Sequence, residues 1–343
     1  MKIGGYRVEE VPSPAPDGRP EPTVAVLIVN YNGGEMLLKC LSHVRRQTCT
    51  SFRVIVVDNA SSDGSLEVAE RAFPEVTFIR AGYNSGFAVG NNLGIAAAQE
   101  CEWIACLNPD AFPEPLWLEN LLKASVQYPQ FKFFGSLLLA AEDPTILDGT
   151  EDIYHVSGAA WRKNFREPRS KAGHELIEIF GPCAAASLYR RDILMEVNGF
   201  DERFFCYFED VDLAFRLRLQ GHRCAYVPDA IVHHMGSAIT GYQSDFTVYH
   251  GHRNLEWTFF KNMPSLLLWI YLPQHLLLVL ASLVAYSLRG RCKLIFRAKR
   301  DALLGLPTVL KQRAQVQQTR KVSPAALLAV MTRGVFTSYG RRW

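Results

Sequence analysis

Little in the 343-residue sequence points to nucleic acid, export or dithiol chemistry. Basic and acidic side chains nearly balance, 37 against 34, for a net charge of +3. The basic face of a nucleic-acid-binding protein is therefore not expected, nor is a nucleic-acid partner. None of the eight cysteines forms a Cys-x-x-Cys pair, which argues against a zinc ribbon or a redox motif. Residues 1–10 carry Lys2, Arg7, Glu9 and Glu10 and no apolar stretch; no signal peptide is expected, and free thiols then favour a reducing cytoplasm. Two phosphate-binding fingerprints are also missing. No Gly-x-Gly-x-x-Gly follows the first apolar run and no Walker A sequence occurs, which disfavours dinucleotide enzymes and P-loop ATPases.

What is present suits a sizeable core. Hydrophobic residues make up 48% and charged residues 21%, enough for one large domain or two modest ones. Residues 1–22 hold Pro12, Pro14, Pro16, Pro20 and Pro22 and read as a loose leader. From residue 23 the pattern changes. Apolar runs at 24–29, 52–57, 76–80 and 103–107 alternate with segments of helical spacing, the rhythm of a doubly wound parallel sheet. Such sheets bind ligands beyond the carboxyl ends of their strands. Those ends carry Asn30, Asp58 and, after Asn108-Pro109, Asp110. A strand is expected over 181–189 and a helix within 204–220, while 140–180 has no clean period.

Each chemical motif has a bland alternative. Asp58, before Asn59 and Gly64, suits a ribose or base edge, or caps the next helix. Asn84-Ser85-Gly86 through Asn91 lets backbone approach a diphosphate at a helix start, or is a glycine-softened N-terminus. Asp110 is placed to hold a hard cation such as Mg²⁺ or Mn²⁺ against phosphate oxygens, or is an Asp in a proline turn. Three carboxylates crowd into Glu209-Asp210-Val211-Asp212, led in by five aromatics from Phe200 to Phe208. Apolar neighbours and like charges raise such acids, and the aromatic lead-in favours a general base over simple capping. His233 and His234 end another apolar run and could ligate the same ion, but adjacent strand residues point to opposite faces, so one at most can do so.

In this order the segments resemble family 2 glycosyltransferases of the bacterial rhamnosyltransferase-like group. The resemblance rests on Val29-Asn30-Tyr31-Asn32, the run Val57 to Ser65, Asn84 to Asn92, Leu107-Asn108-Pro109-Asp110, and Phe200-Asp201-Glu202 through Asp212, and it covers about residues 23–240. It implies a GT-A fold with a nucleotide-sugar-binding half at 23–130 and an acceptor half at 131–240. It also implies metal-dependent, inverting transfer from a nucleotide-diphosphate sugar. Donor-binding residues would be Asn30, Asp58, Asn84, Gly86, Asn91 and Asn108. Asp210 would be the base beside Glu209, and Asp110 with His233, or its neighbour His234, would hold the metal. Asn108 stands where the wider family often has Asp, a mark of the subgroup. A silent nucleotide-sugar-binding scaffold predicts missing acids, and a nucleotidyltransferase predicts a basic loop after the first strand; neither is seen.

The last hundred residues, 241–343, change character. Between 265 and 288 no Asp, Glu, Lys or Arg occurs, long enough for a membrane span. Pro273-Gln274-His275 interrupts it and both flanks are basic, so two half-length helices dipping into the inner leaflet are expected in preference to one span. Membrane lipids contacted through 265–313, the cytoplasmic face of the inner membrane, and a lipid-linked or glycan acceptor follow as expectations. A buried helical hairpin is the alternative.

Overall fold

The computed structural model describes residues 23–236, 241 and 243–334; the proline-rich leader lies outside them. The first apolar run forms β1 (Val24–Asn30), buried at every position. Successive strand side chains face opposite ways, and both faces are covered here. Val24, Val26 and Ile28 join one core cluster, Ala25 and Leu27 the other. Burying one such side chain fully contributes about 1.5–3 kcal/mol, which explains a continuous apolar run where an alternating one would serve a half-exposed strand.

From β1 the chain runs through α1 (Gly34–Arg45), β2 (Phe52–Asp58), α2 (Ser65–Ala72), β3 (Thr77–Arg80), α3 (Gly86–Ala97) and β4 (Trp103–Leu107). β1 pairs in parallel with β2 and β4, and β2 with β3, as the rhythm predicts. α3 lies close to β1 because Gly90 has no Cβ: one there would sit 2.6 Å from Val29 Cγ1.

After β4 come β5 (Ala111–Pro113), α4 (Trp117–Gln127) and β6 (Phe131–Ala140), then the short strands β7 (Leu147–Gly149), β8 (Asp152–Tyr154), β9 (Ala160–Arg162) and β10 (Ile177–Ile179). β11 (Ala186–Arg190), α5 (Arg191–Glu196), α6 (Glu209–Leu219) and β12 (Arg223–His234) complete the sheet region. The strand order is β10-β12-β6-β11-β4-β1-β2-β3, with β5 on β12 and β7 on β6. β11 runs antiparallel to both β4 and β6, so the sheet is mixed and not wholly parallel. The strand expected over 181–189 begins only at Ala186; the stretch before it is freed to line a cavity.

Four helices follow: α7 (Asp245–Asn262), α8 (Ser265–Leu288), α9 (Cys292–Gln318) and α10 (Pro324–Leu328). Two half-length helices were expected at 265–288, and that expectation is corrected. α8 is continuous through Pro273. An interior proline disfavours a helix by about 3 kcal/mol, and packing of the opposite face offsets it. His275 is fully buried, its Nε2 2.7 Å from Glu256 Oε2 of α7, its Nδ1 2.8 Å from Ser157 O, its ring stacked on Phe259 at 3.9 Å. Lys299 of α9 pairs with the other Glu256 oxygen at 2.5 Å. Burial would raise the Glu256 carboxyl, but Lys299 and His275 outweigh it and hold it down at about 2.

Candidate active site

The carboxyl ends of β1, β2 and β4 open onto a cavity of about 530 Å³, closed on the far side by the entry to α6 and the end of β12. Asn84, Gly86, Asn108, Asp110, Glu209, Asp210 and His234 all line it. Asn30, Asp58, Asn91 and His233 do not.

Register explains the histidines. In the β5–β12 ladder His233 lies opposite Phe112 and His234 opposite Ala111, which carries His234 to Asp110. His234 Nε2 is 3.3 Å from Asp110 Oδ1 and its Nδ1 2.7 Å from Asp148 Oδ2. His233 turns to the other face, its Nε2 3.1 Å from Glu114. Of the two histidines left open by the sequence, His234 faces the cavity and His233 does not, as the two-residue period of the strand requires. Burial alone would lower His234, yet Asp110 and Asp148 push it up to about 9. In return burial, which would raise Asp110, is outweighed by His234, and Asp110 stays below the usual carboxylate range. Asp148 stays low as well, its burial overcome by Arg162 and His234.

The approach of His234 to Asp110 is not aligned as a hydrogen bond, so Nε2 is a buried nitrogen without a hydrogen-bond partner. A carboxylate oxygen and this ring nitrogen face one cavity, and Asp148 orients the ring from behind; raised to about 9, the ring carries its proton near neutral pH and would shed it on binding a metal. This is a donor set that fits a divalent cation with a histidine braced by an outer carboxylate.

In the same lining α6 begins with Glu209 and Asp210, presented by a loop in which Phe205, Tyr207 and Phe208 have φ of 65°, 67° and 67°. Each such non-glycine residue costs about 1–3 kcal/mol, so the loop is held from outside. Asn254 Nδ2 of α7 donates to the carbonyls of Phe204, Cys206 and Tyr207. Asn92 of α3 donates to Phe200 O at 2.9 Å and accepts from Phe200 N at 2.9 Å. Asp210 accepts the Val211 amide at 2.8 Å and the Ala184 amide at 3.3 Å. Burial nevertheless raises Asp210, against those amides and Arg162. Glu209 is held well above its usual range by burial and then by the Asp210 charge, and one of its oxygens has no hydrogen-bond partner.

The sequence reading missed four residues here. Arg162 and Cys183 line the cavity, Arg162 pairs with Asp148, and Asp152 is buried behind them. Asp152, Cys183 and Asp210 bring ligand-type atoms within 4.8 Å of one another. Asp152 is raised well above the carboxylate range by burial and then by Asp210. The acid-rich run 148–152 was the available signal, but three-residue strands show no period.

The wall expected to meet the donor differs in detail. Asp58 is buried, its Oδ1 accepting from Asn30 Nδ2 at 2.9 Å and Ser61 Oγ at 2.6 Å, its Oδ2 from the Ser61 amide at 3.0 Å. These bonds brace the turn after β2; Asn59 is the residue that reaches the cavity. Asn91 caps a carbonyl of its own helix, Phe87 O at 3.0 Å. The amides of Phe87 and Ala88, expected to be open to a diphosphate, both donate to Phe205 O, at 2.7 and 3.3 Å. Gly86, at φ +83°, allows this approach; a Cβ there would lie 2.6 Å from that same oxygen.

A mixed α/β sheet with paired acids at its carboxyl edge and an outward helical extension defines a Rossmann-like GT-A protein. The family model described as glycosyl transferase family 2 matches residues 25–197, and the chain belongs to that family. It is similar to the N-acetylglucosaminyl-diphospho-decaprenol L-rhamnosyltransferase of Mycobacterium tuberculosis (strain CDC 1551 / Oshkosh), at 30% identity over 241 residues, 63% of this chain and 77% of the relative. Among solved structures, GalNAc-T7 with UDP, GalNAc and Mn²⁺ superposes with a TM-score of 0.56 at 15% identity, over 69% of this chain and 48% of that one. The chain thus spans about half of that protein. The mannosyltransferase PcManGT of Pyrobaculum calidifontis, in complex with GDP-Man and Mn²⁺, gives 0.51 at 17% identity over 94% and 82%. These two likenesses speak to the fold.

Proposed function

We propose that the protein transfers a sugar from a nucleotide-diphosphate donor to a lipid-linked acceptor with inversion, at the cytoplasmic face of the cell membrane. The mycobacterial relative, whose name joins rhamnose to a diphospho-decaprenol acceptor, makes rhamnose the favoured sugar. The observation that carries the reading is the meeting of Asp110, His234 and Asp210 in the lining of one cavity.

In this reading residues 23–130 hold the donor, through Asn59, Asn84 and Asn108 at the cavity wall and Asp58 bracing from behind. Residues 131–240 hold the acceptor. Asp210 accepts the proton of the attacking hydroxyl, and burial, by raising its basicity, suits it to that task near neutral pH. The Ala184 and Val211 amides fix the carboxylate in place. Arg162 offers positive charge to a diphosphate or to the base. Asp110 and His234 would hold Mg²⁺ or Mn²⁺, whose charge would neutralise the departing nucleoside diphosphate. A transition state of oxocarbenium character is then flanked by acids, as in other glycosyl chemistry.

The test is a panel of nucleotide sugars offered to the purified protein with lipid acceptors, with nucleoside diphosphate release followed with added Mn²⁺ and with EDTA. Release from one donor that EDTA abolishes is expected. No release across the panel would leave a sugar-nucleotide-binding scaffold as the better reading.

A further inference from the structure

α8 is the one helix, among the described residues, long and apolar enough to cross a membrane by length and composition. Its packing says otherwise. Leu267, Leu268, His275, Ser282 and Tyr286 form a buried stripe along its whole length. Midway, His275 is locked to Glu256, which also binds Lys299. A crossing helix would carry this charged group to the bilayer centre, where each charge is costly.

The outward face is a different surface. Leu266, Trp269, Ile270, Leu276, Leu277, Leu280, Val284 and Leu288 are all at least half exposed, Trp269 at 69% and Leu288 at 84%. Their spacing of three, four and seven keeps them on one side for six turns. Only Pro273 and Ala281, also apolar, fill the gaps in that exposed row. The chain then turns at Gly290 into α9, which adds Phe296, Leu303, Leu304 and Leu310 to the exposed apolar set. From residue 265 to residue 300 no acid occurs, and Lys293, Arg297 and Arg300 are exposed close to the turn. A stripe of this width, itself without acids and bordered by Lys293, Arg297 and Arg300, the two arginines also pairing with Asp301, is complementary to a lipid monolayer with anionic headgroups.

We infer that α8 lies in the plane of an anionic membrane surface, seated to side-chain depth by its Leu266–Leu288 face and held at its carboxyl end by the basic entry of α9. The protein is thereby attached to one leaflet and does not span the bilayer. This deepens the membrane reading above, and its test reads lipid binding separately from sugar transfer.

The full chain would be floated with vesicles of phosphatidylcholine alone or mixed with phosphatidylglycerol. Binding is expected with the anionic vesicles, weakened by salt and released by alkaline carbonate. The paired change Leu277→Glu with Leu280→Glu, on the exposed face, should cut the bound fraction about tenfold or more. It should leave the melting temperature and nucleoside diphosphate release to a water-soluble acceptor unchanged. Arg297→Glu with Arg300→Glu should remove the preference for phosphatidylglycerol. Failure of the wild-type chain to float, or its retention after carbonate, would overturn the inference. So would a dimer in lipid-free buffer that the leucine changes dissociate, since a second copy would then cover the face. Flotation without any transfer would count against the proposed function alone.

Discussion

The two walls of the cavity hold carboxylates in opposite states. At the β5–β12 wall, Asp110 and Asp148 are buried, yet both stay below their usual range because His234 and Arg162 lie against them. At the α6 wall, Asp152 and Glu209 are raised by burial and then by the Asp210 charge, and Asp210 is raised by burial against two amides and Arg162. Burial raises every one of these acids; the His234 and Arg162 pairs overcome it at Asp110 and Asp148, whereas the amides and Arg162 do not overcome it at Asp210. In the proposed function the first wall would offer its negative charge to a cation, and the second a carboxylate of raised proton affinity to the acceptor hydroxyl.

The comparison breaks most severely at Asp210. Asp210→Asn keeps the shape and removes the base, and transfer should fall by about 10²–10⁴-fold. Donor affinity, measured by titration calorimetry, should stay near wild type; undiminished transfer would refute the assignment. At the other wall Asp148→Asn leaves Asp110 and His234 in place but loosens the ring. Mn²⁺ affinity should weaken about 10–100-fold, read by calorimetric titration, and an unchanged affinity would place the metal elsewhere.

Gly86→Ala tests the contact between the donor loop and the loop that leads to the base. Its Cβ would collide with Phe205 O and occupy a left-handed position, so a loss of about 1–3 kcal/mol is expected. A drop in melting temperature reads it, and an unshifted midpoint would show that the loops are not in contact. The smallest effect is at Asp152. Its folded-state pKa lies above the unfolded value of 3.8, so the folded form binds the proton more tightly, and stability declines as pH rises above that value. Asp152→Asn removes this decline. Its melting temperature should approach wild type near pH 4 and exceed it at higher pH, the difference levelling off once the folded-state pKa is passed; a constant offset would mean that Asp152 does not titrate with folding.

The parallel half of the fold was legible because β1, β2 and β4 are short apolar runs, and β1 and β2 are each followed by a helix of clear period. Asp110, Glu209 and Asp210 were legible too, since strand ends and helix starts announce themselves in polar residues. The strand alternation even limited the histidines to one, but choosing His234 needed the pairing with Ala111, a contact between segments more than a hundred residues apart. Asp58 looked like a ligand contact, whereas its hydrogen bonds turn it toward Asn30 and Ser61. Asp148, Asp152 and Arg162 stayed hidden because β7, β8 and β9 are three residues each. α8 showed its length but not its stripe, since a helix apolar all round and one apolar by halves differ only in what packs against them.

The loop before the base has a consequence for chain length. Asn92 grips its beginning through both the amide and carbonyl of Phe200, and Asn254 clasps its end at Phe204, Cys206 and Tyr207. Anchored twice, the segment works as a strap of fixed measure with no slack to absorb an extra residue. An insertion or deletion there would rotate the first turn of α6 and swing both acids away from the cavity, while the sheet that builds the donor wall stayed whole.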